Sequence, residues 1–240
     1  MKRSIYITLI FLTFTSLAFA QSNTSDVDQS GDEHLTNILQ SGESNDSDVT
    51  QKGESGEVFI TQMGDLNTAD AVQDGDNDLT INSEGTSNEA ISEQSGSYNS
   101  GLIFQLGSNN AADITQAGTD NDVFVTQETD YAQATVNQDG ELNYSDIYQY
   151  GGATSASEGN TYTVDQPGDF STVFGTQDGI SNSMTATQSG EGQDLWFDQS
   201  GTGNSLDVAQ SGLLGSGSVN HSAYVTQDGM NNTTVIDQSN

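Results

Sequence analysis

The sequence predicts an all-β fold, a flattened parallel β-solenoid with two sheets facing each other across a thin interior. Three observations lead there. Glutamine recurs at a spacing of eleven, glycine follows nearly every such glutamine by two positions, and carboxylates avoid the alternate positions that a strand would turn inward. The 240 residues carry 35 Asp plus Glu, three Lys plus Arg, one Pro and no Cys. Leu, Ile, Val and Phe make up about 18% of the residues after position 20. Such a composition ordinarily belongs to disordered chains, so any order must come from the arrangement of the residues rather than from their apolar content.

The first element is a leader. Lys2 and Arg3 precede an apolar run from Ile5 to Phe14, and Ala18-Phe19-Ala20 follows. A basic start, a short apolar stretch and small residues at −3 and −1 predict a secretory signal peptide over 1–20, cut before Gln21. The apolar run is short for a bilayer core of about 30 Å. Residues 21–240 are expected to form a single repeat domain. After cleavage, Lys52 is the one cation against 35 carboxylates. That balance excludes ordinary nucleic-acid or phosphate binding, because nothing neutralises a polyanion. Without Cys there is neither a disulfide framework nor a thiolate metal site.

The repeat comes next, and it decides the fold. Gln recurs at 29, 40, 51, 62, 73, 94, 105, 116, 127, 138, 149, 166, 177, 188, 199, 210, 227 and 238, which is 18 of the 21 Gln. Ser83 fills the slot missing between Gln73 and Gln94. The two longer gaps each hold six extra residues, predicted as loops near 152–158 and 213–218. Counting each Gln as position 0, position 2 is almost always Gly, with Thr129 an exception, and position 5 is mostly Asn. Positions 7 and 9 are small or aliphatic, as in Ala112 and Ile114 or Leu206 and Val208. Positions 5, 7, 9 and 11 alternate, so one strand puts them on one face. Gly42, Gly64, Gly107, Gly118, Gly140, Gly179, Gly201 and Gly229 supply the backbone angles of tight bends, and Asn at position 5 suits the exit of the bend. Each eleven-residue unit is then a strand and a bend, and two units make a circuit of 22. The 18 units predict about nine circuits.

Chance would place about a third of the carboxylates at the inward positions, yet those positions hold none. A real interior predicts this, because an unpaired buried carboxylate costs several kcal/mol. The interior is instead lined by amides: Gln40, Asn45, Gln51, Gln62, Asn67, Gln73, Gln105, Asn110, Gln116, Asn121, Gln138, Asn143, Gln149, Gln177, Asn182, Gln188, Gln199, Asn204, Gln210, Gln227, Asn232 and Gln238. Buried amides are satisfied when each bonds to its equivalent one rung away, as in cross-β stacks.

The unit Gln-x-Gly-x-x-Asn-x-Ala-x-x-x-Gln resembles the curlin repeat. Gln62 to Gln73 (QMGDLNTADAVQ) and Gln105 to Gln116 (QLGSNNAADITQ) fit it at every defined position, and Asp146 to Gly152 (DIYQYGG) is especially similar. The resemblance spans Asn23 to Gln238. It implies a secreted structural subunit of curli-type functional amyloid, a fibre of the biofilm matrix and cell surface that serves adhesion and aggregation. It also implies that the subunit stacks on copies of itself, meets an outer-membrane secretion pore, periplasmic chaperones and a nucleator subunit, and that the amides above drive assembly. Asn23 already fits the repeat, so a pore-targeting segment ahead of it is expected to be absent or reduced to Gln21 and Ser22.

His34 and His221 fall in the Asn slot and are most simply ladder substitutions. Asp48, Asp70, Asp113 and Asp207 line one outer face, where they either bind Ca²⁺ between rungs or form a solvated acidic surface. Thr precedes the comb Gln at 50, 61, 115, 126, 176, 187 and 226, but too sparsely on either sheet for an ice-binding array. No nucleophile–base pair, dinucleotide-binding glycine motif or zinc spacing is present, so no enzyme and no cofactor are expected. The alternatives to a polymerising subunit are a monomeric solenoid that binds ice, divalent ions or polysaccharide, and the minor nucleator of the same fibre. A soluble solenoid needs capped ends, and the repeat runs from Asn23 to Gln238 without an evident cap. Finally, Phe59, Leu102, Phe124, Phe174, Trp196 and Tyr224 share outward position 8 of alternate units, which predicts an apolar column on one sheet and lateral contact between filaments.

Overall fold

The computed structural model describes residues 22–212 and 221–239. The leader over 1–20 and the insertion at 213–218 lie outside the described residues. The rest is strand after strand: β1 (Thr24–Asp32), β2 (Leu35–Ser41), β3 (Asp46–Glu54), β4 (Glu57–Asp65), β5 (Thr68–Thr86), β6 (Glu89–Ser108), β7 (Ala111–Thr119), β8 (Asp122–Glu128), β9 (Gln133–Glu141), β10 (Tyr144–Tyr150), β11 (Thr161–Gln166), β12 (Thr172–Ile180), β13 (Ser183–Gln188), β14 (Asp194–Thr202), β15 (Ser205–Ser211), β16 (Ser222–Met230) and β17 (Thr233–Ser239). No described helix is long and apolar enough to cross a membrane.

Every strand pairs in parallel with the strand one circuit away, and comb Gln lies on comb Gln: Gln29 on Gln51, Gln51 on Gln73, Gln116 on Gln138. Two stacks result. The first runs β1, β3, the start of β5, the start of β6, β7, β9, β11, β13, β15 and β17. The second runs β2, β4, the end of β5, the end of β6, β8, β10, β12, β14 and β16. β5 and β6 each carry two successive units through a bend. Seventeen strands therefore hold 19 units, ten in the first stack and nine in the second. The nineteenth beyond the 18 comb units is the one that ends on Ser83, where a strand forms without Gln.

The strands alternate between buried and outward residues, as β8 does with Val123, Val125 and Gln127 buried. Facing residues of the two stacks form one core cluster, among them Val49, Ile60, Ile81, Ile103, Ile114, Val125, Ile147, Leu195 and Leu206. The cluster stays thin because many of its members are Ala and Val, such as Ala69, Ala71, Ala112 and Ala134. Where a ring does enter, space is made for it. Phe197 stacks on Tyr162 at 5.5 Å, and a Cβ on Gly175 would sit 1.7 Å from the Phe197 ring. Residues 152–158 form a loop, closed by Glu158 accepting from the Thr154 amide at 2.9 Å and from its hydroxyl at 2.6 Å. The loop leaves the ladders in register, since Gln149 still lies on Gln177.

Candidate functional site

The amides are the chemistry of this fold. In the first stack, Gln Nε2 donates to the Oε1 of the next rung without a break: Gln29 to Gln51 (2.7 Å), Gln51 to Gln73 (2.9 Å), Gln73 to Gln94 (2.8 Å), Gln94 to Gln116 (2.8 Å), Gln116 to Gln138 (3.1 Å), Gln138 to Gln166 (3.0 Å), Gln166 to Gln188 (2.9 Å), Gln188 to Gln210 (2.9 Å) and Gln210 to Gln238 (2.8 Å). The second stack repeats this from Gln105 through Gln127, Gln149, Gln177 and Gln199 to Gln227. Below Gln105, Gln40 donates to Gln62 at 2.9 Å. The Ser83 hydroxyl then stands in for an amide and donates to Gln105 at 3.0 Å, while Gln62 turns its Nε2 to the carbonyls of Asp46 and Asn67. Most comb Gln also reach across the interior to a carbonyl of the other stack, as Gln116 does to Ser100 at 3.1 Å. Both amide hydrogens are thereby used, which a buried polar group requires.

The Asn at position 5 does more than shape a turn. Asn45 Oδ1 accepts from the backbone amide of Asn67 at 3.0 Å and from its Nδ2 at 3.1 Å, and Asn45 Nδ2 donates to Gly64 O at 2.7 Å. Asn121 and Asn182 tie successive bends in the same way, and Asn110, Asn143, Asn204 and Asn232 continue these columns. His34 fits the same geometry: its Nδ1 accepts from the Gly56 amide at 3.2 Å and its Nε2 faces Ser30 O at 3.3 Å. An imidazole has one acceptor and one donor to replace the amide pair.

All eight glycines named from the sequence have positive φ, from 106° at Gly201 to 136° at Gly140. A second demand is visible only in three dimensions. A Cβ on Gly118 would lie 2.0 Å from the Gly140 carbonyl oxygen of the next rung. The bend therefore excludes side chains by stacking as well as by backbone angle. The residue in the left-handed region near the exit is position 4, not the Asn at position 5: Ser44, Leu66, Ser87, Tyr98, Asn109, Asp120, Leu142 and Ser181 all have φ of 55–61°.

The outer faces differ. On the second stack, Asn37, Phe59, Thr80, Leu102, Phe124, Asp146, Phe174, Trp196 and Tyr224 form one column of paired residues. The six predicted apolar members share it, with Thr80 and Asp146 as interruptions. Phe174 and Trp196 lie 5.0 Å apart between ring centroids, and Trp196 and Tyr224 lie 6.2 Å apart. Trp196 is 45% exposed and Tyr224 76%. Tyr144 and Tyr148 extend the patch, against Phe124 and Phe174 respectively. Among them Asp146 is only 8% exposed. Its Oδ2 accepts from the Tyr144 hydroxyl at 3.3 Å, and burial pushes its carboxyl above the usual range.

On the first stack, Asp26, Asp48 and Asp70 occupy consecutive rungs; Ile91 precedes Asp113, and three Thr precede Asp207. Burial raises the Asp70 carboxyl, with Asp48 and Glu93 adding to it, and burial with Glu93 raises Asp113. Among the described residues, no three His or carboxylate side chains converge as a cation site would need.

Comparison with known proteins agrees with the ladders. The curlin associated repeat family matches residues 20–53, 85–118, 99–128 and 118–151. No curated protein matches the chain. The strands beyond residue 151 keep the same pairing and the same amide bonds. With its repeat matched four times and its fold built from that repeat, the chain belongs to the curlin-repeat family.

Proposed function

We propose that this chain is an exported structural subunit that polymerises end to end into a curli-type amyloid fibre at the cell surface. The observation that carries the reading is the pair of amide ladders. Both run in one direction, the first unbroken from Gln29 to Gln238 and the second interrupted at Ser83. At one end Gln238 has an amide hydrogen to give, and Gln227 rests on Ser205 O and the Thr234 hydroxyl until a further rung arrives. At the other end Gln29 and Gln40 have side-chain carbonyls to receive a donor. The backbone says the same. Among the described residues, β1 and β2 pair only towards the C-terminal end and β16 and β17 only towards the N-terminal end, and unpaired parallel edges are templates for another chain. The basic-then-apolar leader supports export through the periplasm. Family membership supports a secretion pore, chaperones and a nucleator as partners. A curlin-repeat subunit of this kind contributes adhesion and matrix strength, without catalysis.

The test uses the chain without residues 1–20. Fibres with a meridional spacing of ~4.7–4.8 Å are expected, and assembly should accelerate with added salt, because 35 carboxylates per subunit repel at low ionic strength. A chain that stays monomeric for weeks at high salt, with no thioflavin signal, overturns the reading.

A further inference from the structure

The two ends of the rod carry matched vacancies. At the head, Asn23 Nδ2 is buried without a partner. The corresponding nitrogens of Asn67 and Asn121 each bond to the preceding Asn Oδ1 of their column and to a carbonyl four residues back. At the tail, His221 Nδ1 is likewise buried without a partner. By comparison, His34 Nδ1 accepts the backbone amide of the next rung. One end lacks an acceptor and the other lacks a donor.

The order of the units says which end groups can meet. Units alternate between the stacks, and both β1 and β17 belong to the first stack, so the number of units among the described residues is odd. A neighbour placed in line, with its β1 over β17, would leave one empty strand slot in the second stack at every junction. It would also put Asp28 on Asp237, two like charges at the strand spacing of about 4.8 Å. A neighbour turned by half a turn about the rod axis puts its β1 over β16 and its β2 over β17, and no slot is empty. Gln227 then faces Gln29, and Gln238 faces Gln40. Asp28 lies over Thr226. Asn23 arrives on the edge where Asn121, Asn143, Ser171, Gln193 and His221 follow one another, each accepting a backbone amide from the strand one rung below. That places its amide groups over the vacant His221 Nδ1. In line, Asn23 would sit over Asn232 instead.

We infer that successive subunits of the fibre are related by a half-turn about its axis, so that the acidic and aromatic faces change sides at every junction. This deepens the polymer reading and rests on it. Nine and a half circuits per subunit at ~4.8 Å give an axial step of about 45 Å, and the fibre repeats after two subunits rather than one.

A single thiol tests this, since the chain has no Cys. Thr135→Cys on the outward face of β9, labelled with a small gold cluster and imaged by electron microscopy, should mark alternate sides of single filaments, with an axial step of about 45 Å between successive marks. Deleting Asp228–Gln238 removes one unit and makes the number even, so its filaments should carry every mark on one side. Wild-type filaments marked on one side only would overturn the half-turn while leaving the polymer intact. An absence of filaments would overturn the polymer reading itself, and the half-turn with it.

Discussion

A single amide in the ladder is held from three directions. Gln116 accepts from Gln94, donates to Gln138, and donates to the carbonyls of Asn121 and Ser100. Removing it leaves buried donors and acceptors on two rungs without partners, which costs more than the bonds themselves contributed. Gln116→Ala should therefore destabilise the assembled rod by roughly 1–3 kcal/mol. Thr115→Ala, one residue away on the outer face, should cost a few tenths of that. Denaturant midpoints of the two fibres check it, and equal midpoints would contradict the inward placement. This placement was legible in the sequence, because a period of eleven with alternation inside it fixes which residues share a face. The left-handed position 4 was not legible. Leu66, Tyr98 and Leu142 take φ near 60°, a region that favours Gly, Asn or Asp, so side-chain chemistry gives no sign of it. The stacked ladders on both sides of the bend impose the angle.

At the scale of a strand and its neighbours, the outer faces decide how the rod responds to its surroundings. Asp70 and Asp113 on the first stack, and Asp78, Asp122 and Asp146 on the second, all have carboxyls raised above the ordinary value of 3.8. Burial is the first cause in each case. Asp48 and Glu93 add to it for Asp70, Glu93 for Asp113, Asp76 for Asp78 and Asp120 for Asp122, whereas the Tyr144 hydroxyl opposes it for Asp146. A raised carboxyl binds its proton more tightly in the folded chain. Its stabilising contribution is complete below the unfolded value and is lost as pH rises through the folded one. The rod should therefore gain stability as pH falls from neutrality towards 4, the reverse of ordinary acid denaturation. Asp70→Asn with Asp113→Asn should narrow the gap between denaturant midpoints at pH 7 and pH 4.5. An unchanged gap would refute the assignment. The sequence showed these acids as outward, but not that Asp146 is enclosed by Phe124, Tyr144 and Phe174. That follows from the register between rungs, which the 28-residue step across the loop at 152–158 conceals.

Over the whole molecule, one face is apolar and the other acidic, and this bears on how filaments meet. We propose that the aromatic column of the second stack makes the lateral contact, with another filament of the same chain as its occupant. Charge supports this choice. Every filament is strongly anionic, with Lys52 as the one cation after residue 20, so two filaments approach best where acids are fewest and apolar area is largest. Strand propensity alone would scatter aromatics over both sheets, yet Phe124, Phe174, Trp196 and Tyr224 sit on one. With subunits alternating by a half-turn, each filament offers aromatic patches on both sides, about 45 Å out of step. Bundles should then grow into layers rather than stop at pairs. Acid substitutions at Phe124 and Phe174 would stack three carboxylates with Asp146 between them and disturb the strands themselves. Trp196→Thr with Tyr224→Thr avoids that, since Thr suits a strand and adds no charge. These filaments should form at the wild-type rate with their width unchanged and show fewer than half the side-by-side contacts in electron micrographs. Bundling at the wild-type level would move the contact to another face.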